Sequence, residues 1–168
     1  NNANDWNGGG LHTSLENGMG LVDARAAVRL AETWQEQSVS SNEIHRSSYS
    51  GGVSFSDGGV VEDTATNRNG VDIENVEIYV NLSGTQLSDL RITVTSPNGT
   101  VSEIMGRPQT SRSGLSHFFT SRQFWGETGI GDWTISVKDE VNNGTGGNLN
   151  SWGINLYGDT LDLSLIHI

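Results

Sequence analysis

From Val53 onward, the apolar residues of this chain recur at every second position. Trp133, Ile135 and Val137 alternate with Thr134 and Ser136, Leu90, Ile92 and Val94 with Arg91 and Thr93, and Trp152, Ile154 and Leu156 with Gly153 and Asn155. A period of two belongs to a strand with one face turned to a core and the other to water. The runs are short and are separated by Gly-, Asn- and Pro-rich turns. About eight strands are expected, and turns every ~8–12 residues predict a mainly β jelly-roll β-sandwich. Composition agrees. Hydrophobic residues make up 33% of the chain and glycines number 22, so small turn residues stand where larger apolar ones would be in an average domain.

The pattern also marks irregularities. Val71 and Ile73 sit on odd positions, whereas Val76, Ile78, Val80 and Leu82 sit on even ones. One sheet face holds both sets only with an extra residue, so a bulge or sheet switch is expected near Glu74-Asn75. Pro97-Asn98-Gly99 is a turn, because proline presets φ and glycine accepts positive φ. Val60 and Val61 precede what reads as an acidic, Asn-rich loop, and residues 106–117 read as a long polar loop. Phe118, Phe119, Phe124 and Trp125 are expected to return to the core. Trp125, Trp133 and Trp152 would fill it, each with an N–H needing a partner.

The first part of the chain differs. Residues 1–20 form a Gly- and Asn-rich loop. Ala24, Ala27, Val28, Ala31 and Trp34 then fall at helical spacing, with Asp23 placed to favour the helix start. Residues 35–47 are polar and read as a connection. The tail, Leu163-Ser164-Leu165-Ile166-His167-Ile168, reads as translated adapter sequence rather than a natural ending. The chain begins at Asn1 inside a polar stretch, which reads as an internal piece of a longer protein.

Acidic residues number 20 and basic ones 9, for a formal charge of −11. That balance disfavours nucleic acid and anionic membrane as partners. No cysteine is present, which excludes disulfides and thiolate chemistry. The histidines are His12, His45, His117 and His167, none with a metal-ligand partner at a suitable spacing, and neither a Gly-x-Ser-x-Gly nor a His-Glu-x-x-His motif occurs. Glu127, Asp132 and Asp139 lie close in sequence, but a paired-carboxylate mechanism needs a buried carboxyl facing its partner across a cleft, and acids that solvate turns are far commoner. No catalytic and no cofactor-binding residue is therefore assigned. Oxygen-rich loops suit Ca²⁺, and Asp57, Glu62, Asp63 and Asp72 cluster, as do Asp139-Glu140 beside an Asn/Gly turn. None has EF-hand spacing, and the metal ligands stay unassigned with Ca²⁺ open. Asn81, Asn98 and Asn143 head Asn-x-Ser/Thr sequences.

Between about Ser47 and Gly158 the motifs run in a fixed order. They are Asp89-Leu90, Ser96-Pro97-Asn98-Gly99-Thr100, Arg107, Phe119 to Ser121, Trp125-Gly126-Glu127, Gly131 to Asp139, and Trp152 to Gly158. In order and spacing this resembles the P domain (Homo B domain) of subtilisin-like, kexin/furin-type proprotein convertases, with Ser88 where the family has glycine. Asn7 to Ser14, Gly18 to Ala24 and Ala31 to Trp34 resemble the end of the same family's catalytic domain, with Met19 in place of an aromatic. The resemblance implies residues 1–36 as a catalytic-domain remnant with one α-helix from an α/β subtilisin-like fold, 37–47 as linker, 48–159 as P domain and 160–168 as a non-native tail. It implies the C-terminal part of a secreted or extracellular subtilisin-like serine endopeptidase. The P domain would stabilise and regulate the catalytic domain of the same chain, through apolar burial at their interface, and in proteolysis the triad would lie upstream. Two alternatives remain open: a jelly-roll binding or adhesion module for carbohydrate or surfaces, favoured by an exposed aromatic strip, and an independent hydrolase, favoured by a cleft with paired carboxylates or a Ser-His pair.

Overall fold

Alternation sorts the strands into two antiparallel sheets. The computed structural model describes residues 6–14, 17–34 and 43–160. One sheet holds β1 (Ile44–Ser50), β2 (Val53–Phe55), β4 (Asp72–Ser83), β7 (Gly114–Ser121) and β9 (Gly147–Asp159), in the order β1-β9-β4-β7 with β2 also paired to β9. The other holds β3 (Val60–Asn67), β5 (Leu90–Thr95), β6 (Val101–Gly106) and β8 (Gly131–Asp139), in the order β3-β8-β5-β6. The chain crosses repeatedly between sheets, as a jelly roll requires. β1 and β2 flank Gly51-Gly52, both at positive φ, and act as one interrupted strand along β9.

The core lies between the sheets. β4 contributes Val76, Ile78, Val80 and Leu82, β9 Leu149, Trp152, Ile154 and Leu156, β5 Leu90, Ile92 and Val94, and β8 Trp133, Ile135 and Val137, all buried. Removing apolar area from water at ~25 cal/mol per Å² is the main force holding the layers together. Both buried indoles find acceptors. Trp133 Nε1–H donates to the Gly129 carbonyl at 3.0 Å, and Trp152 Nε1–H to Asp63 Oδ2 at 2.7 Å.

The parity break in β4 is a bulge. Pairing passes from Ile73 opposite Gly158 to Asn75 opposite Tyr157, which leaves Glu74 over. Both sides of the break then turn Ile73 and Val76 inward. The bulge carries the Asp72 carbonyl over Gly158, where a Cβ would collide with it.

Four expectations change. The stretch after Val61 is strand, not loop: β3 turns Val61, Asp63, Ala65 and Asn67 inward, with polar residues between them. β7 begins at Gly114, inside the expected polar loop, because its outward residues lie on an edge strand where polar side chains are tolerated. β1 begins at Ile44, within the stretch read as linker. Phe118 and Trp125 are exposed rather than core. Phe118 sits opposite Tyr79 on the outer face of its sheet, and Trp125 lies in a loop with the Arg122 guanidinium 5.7 Å from its ring.

The helix α1 spans Ala24–Thr33, with Asp23 Oδ1 accepting from the Ala26 N–H at 3.0 Å. None of its residues is buried, and Leu21, Val22, Val28, Leu30 and Trp34 are exposed beside and along it. No helix among the described residues is long and apolar enough to cross a membrane. The tail from residue 161, His167 included, lies outside the described residues.

Candidate functional site

Three sequence motifs meet at one end of the sandwich. The first is the Ser96-Thr100 turn. The Gly99 N–H donates to the Ser96 carbonyl at 2.9 Å, Gly99 adopts φ 85°, and the Thr100 N–H reaches Ser96 Oγ at 3.2 Å. This geometry presents the Thr100 hydroxyl, which donates to Glu127 Oε1. The second is Trp125-Gly126-Glu127. Gly126 adopts φ 77°, and its N–H donates to the Ile73 carbonyl at 2.8 Å, tying the loop to the start of β4. Glu127 is 1% exposed, and its Oε2 is buried without a hydrogen-bond partner.

The third is Asn7-Gly8-Gly9, from the start of the chain. Asn7 is buried, and its amide hydrogen-bonds at every valence. Nδ2 donates to the carbonyls of Gln123 (2.9 Å) and Trp125 (2.8 Å), and Oδ1 accepts from the N–H groups of Gly9 (3.1 Å) and Leu11 (2.8 Å). That exhausts the two donors and two acceptor sites of an asparagine amide. The Gly8 N–H is shared between Thr100 Oγ1 (2.7 Å) and Glu127 Oε1 (3.1 Å). A Cβ on Gly8 would strike the Asn98 side chain, and one on Gly9 would lie 2.7 Å from the Trp125 carbonyl oxygen. The segment fits because it has glycine at both positions. Hydrogen bonds dominate this seam.

The remaining sequence candidates are scattered. Asp57 accepts from the backbone N–H groups of Asn143, Gly144 and Thr145, and the first two hold its carboxyl below the usual carboxylate range. Asp63 serves the Trp152 indole, Asp132 accepts from Thr66 Oγ1 at 2.6 Å, and Asp139 Oδ1 accepts from the Val141 N–H at 3.0 Å. Burial, with Asp159 and Glu74 beside it, raises Asp72. Glu62 is exposed on β3, and Glu140 pairs with Arg91 at 3.0 Å. Among the described residues, no three acidic or histidine side chains gather as a metal would require. Among the histidines, His12 meets the Trp6 ring edge-on and His117 meets Phe119 likewise. His45 stacks on Tyr157 and lies 3.0 Å from Ser47 Oγ. That Ser-His pair stands on an open sheet face, and Ser47 Oγ donates to Asn155 Oδ1, so it lacks the cleft and the poised proton transfer of a nucleophilic site.

The model of the family "Proprotein convertase P-domain" matches residues 73–156. The chain belongs to this family. The matched P domain runs from the bulge of β4 into β9. The whole chain is 31% identical over 185 residues to the human "Proprotein convertase subtilisin/kexin type 5", covering 95% of this chain and 10% of that protein. It is 33% identical over 168 residues to Xenopus laevis "Furin-1", covering 94% and 21%. The chain thus spans about a tenth to a fifth of the length of these relatives. In fold it is similar to the serine protease of Aeromonas sobria, solved in complex with its chaperone, at TM-score 0.79 and 21% identity, over 93% of this chain and 33% of that one.

Sequence reasoning recognised Asn7-Gly8, Thr100 and Glu127 as letters of motifs without seeing that they meet. The one signal was the glycine in each motif, which permits a close backbone approach.

Proposed function

We propose that this P domain braces the C-terminal end of a subtilisin-like catalytic domain in a secreted serine endopeptidase, and that it stabilises and regulates proteolysis without cleaving peptides itself. The observation that carries this reading is the seam. Asn7-Gly8-Gly9, which resembles catalytic-domain sequence, is fastened to Thr100 and Glu127 of the sandwich. Fixing a segment in this way raises the cost of local opening in the domain it belongs to, since each buried hydrogen bond contributes about 0.5–1.5 kcal/mol and an orphaned partner costs more. The exposed apolar side of α1 supports the same reading. Val28, Leu30 and Trp34 are the residues a helix would bury against the rest of a catalytic domain.

The test is made on the full-length protease. Deleting residues 48–159 is expected to abolish the yield of active enzyme, and Asn7→Ala is expected to shorten its half-life at elevated temperature. The kcat/KM of the surviving enzyme on a short peptide should stay unchanged. Full yield and half-life in the deletion variant would refute the brace.

A further inference from the structure

The outer face of the β1-β9-β4-β7 sheet holds a feature that neither the core nor the seam uses. Tyr49, Gly153, Tyr79 and Phe118 lie side by side in register across the four strands. Tyr49 and Phe118 are exposed and Tyr79 half-buried on this outer face, and Gly153, buried beneath the Tyr49 ring, leaves the row a flat floor. Tyr49 is 59% exposed and Phe118 51%. A Cβ on Gly153 would lie 2.6 Å from Tyr49 Cε1, so the tyrosine ring lies over bare backbone with its other side open. On the far side of Gly153, the rings of Tyr79 and Phe118 have centroids 4.9 Å apart.

Neutral polar groups frame the row and are already oriented. Tyr79 Oη lies 3.1 Å from Ser116 Oγ and accepts from Asn81 Nδ2 at 3.3 Å, and Asn150 Nδ2 donates to Asn81 Oδ1 at 3.0 Å. Beyond Tyr49, its hydroxyl and that of Ser47 both donate to Asn155 Oδ1, at 2.9 and 3.0 Å. The charged or titratable neighbours toward the Tyr157 end of this face include Glu77, which accepts from Tyr157 Oη at 2.8 Å, the exposed Glu43, and His45, stacked on Tyr157.

We propose that this row is a binding platform for a neutral polysaccharide chain. Open aromatic faces suit the C–H faces of sugar rings, and flanking amides and hydroxyls suit their hydroxyl groups. The charge of −11 opposes an anionic ligand, and a row without free carboxylates offers nothing to a cationic one. A protein partner would want a contiguous apolar centre, whereas here Gly153 separates Tyr49 from the other two rings and asparagine and serine flank them. Three strand spacings give the row a length of about 14 Å, room for a few sugar units. Tyr79 lies six residues along β4 from Ile73, which holds the seam loop, and so about 20 Å away. The platform and the brace are separate sites.

Affinity electrophoresis tests this directly. The chain is run in native gels containing dextran, galactomannan, xyloglucan, laminarin or soluble starch, with alginate as an anionic comparison and gelatin as a protein one. At least one neutral polysaccharide is expected to retard the chain. Tyr49→Ala and Phe118→Ala should each weaken retardation by roughly three- to tenfold, and both remove exposed rings the core does not need. Val101→Ala, at an exposed side chain on the other sheet, should leave it unchanged. Absence of retardation by every neutral polysaccharide would overturn the proposal on the unaltered chain alone. Retardation by gelatin or alginate only would also overturn it, as would retardation that survives loss of both rings in folded variants. None of these outcomes bears on the brace, whose test is read in protease yield.

Discussion

Glu127 shows how much one side chain decides at the seam. It is buried, and a single carboxylate oxygen receives both the Thr100 hydroxyl and the Gly8 N–H. Glu127→Ala removes that shared acceptor and is expected to cost about 1–3 kcal/mol in urea unfolding. It should also speed proteolytic release of the segment around Asn7. Glu127→Gln keeps a carbonyl oxygen for both donors, so release should stay close to that of the parent chain. Equal release from both variants would show that the seam does not depend on this acceptor. The tyrosines offer a second check. Burial first, then the hydrogen bond to Glu77, pushes the Tyr157 hydroxyl up to about 12, whereas hydrogen bonding to Ser116 and Asn81 lowers Tyr79. Because the folded Tyr157 pKa lies above its ordinary value of 10.0, its contribution to stability is complete below that pH and is lost as pH climbs toward the raised value. Ultraviolet titration of phenolate should therefore show one early and one late tyrosine, and Glu77→Gln should bring the late one down. The motif residues were legible in sequence, but their meeting was not. Thr100 and Glu127 pair only once a β-turn and a positive-φ glycine have aimed them, and letters alone do not carry that geometry.

Among the elements, those buried on one strict face were readable. β5, β8 and β9 follow their Leu, Ile, Val and Trp alternation, and the parity break at Glu74 required the bulge that β4 has. β1, β3 and β7 escaped notice because their inward positions mix apolar residues with polar ones, such as Arg46 and Ser48 in β1, Asp63 and Asn67 in β3, and His117 and Ser121 in β7. The alternation is present there in burial but not in hydrophobicity. The bulge also explains the glycine that closes the last motif. The Asp72 carbonyl stands where a Cβ on Gly158 would go, so Gly158→Ala must displace paired backbone. It is expected to destabilise the sandwich by about 1–3 kcal/mol, measured as a lower urea midpoint at unchanged slope. An alanine at Gly99, whose surroundings are open, would be strained only by its positive φ and should cost less. A larger loss at Gly99 than at Gly158 would contradict the steric account of the bulge.

At the scale of the whole chain, the buried residues and the exposed apolar ones separate by position. Every buried apolar side chain among the described residues lies between Phe55 and Leu156, while α1 contributes none and leaves Val28, Leu30 and Trp34 exposed. Hydrogen bonds tie the first segment to the sandwich through Asn7, Gly8 and their partners. A chain trimmed to residues 43–160 should consequently unfold in one cooperative transition, less stable than the full chain by about 2–7 kcal/mol, the cost of the seam hydrogen bonds at about 0.5–1.5 kcal/mol each. It should also stay monodisperse in light scattering at concentrations where the full chain, with its uncovered helix face, associates. The two measurements separate the causes. A trimmed chain that fails to fold would mean that the first segment belongs to the core. A full chain that stays monomeric would mean that the apolar side of α1 is too small or too dispersed to demand a partner, and the case that it once packed within a catalytic domain would lose its physical basis.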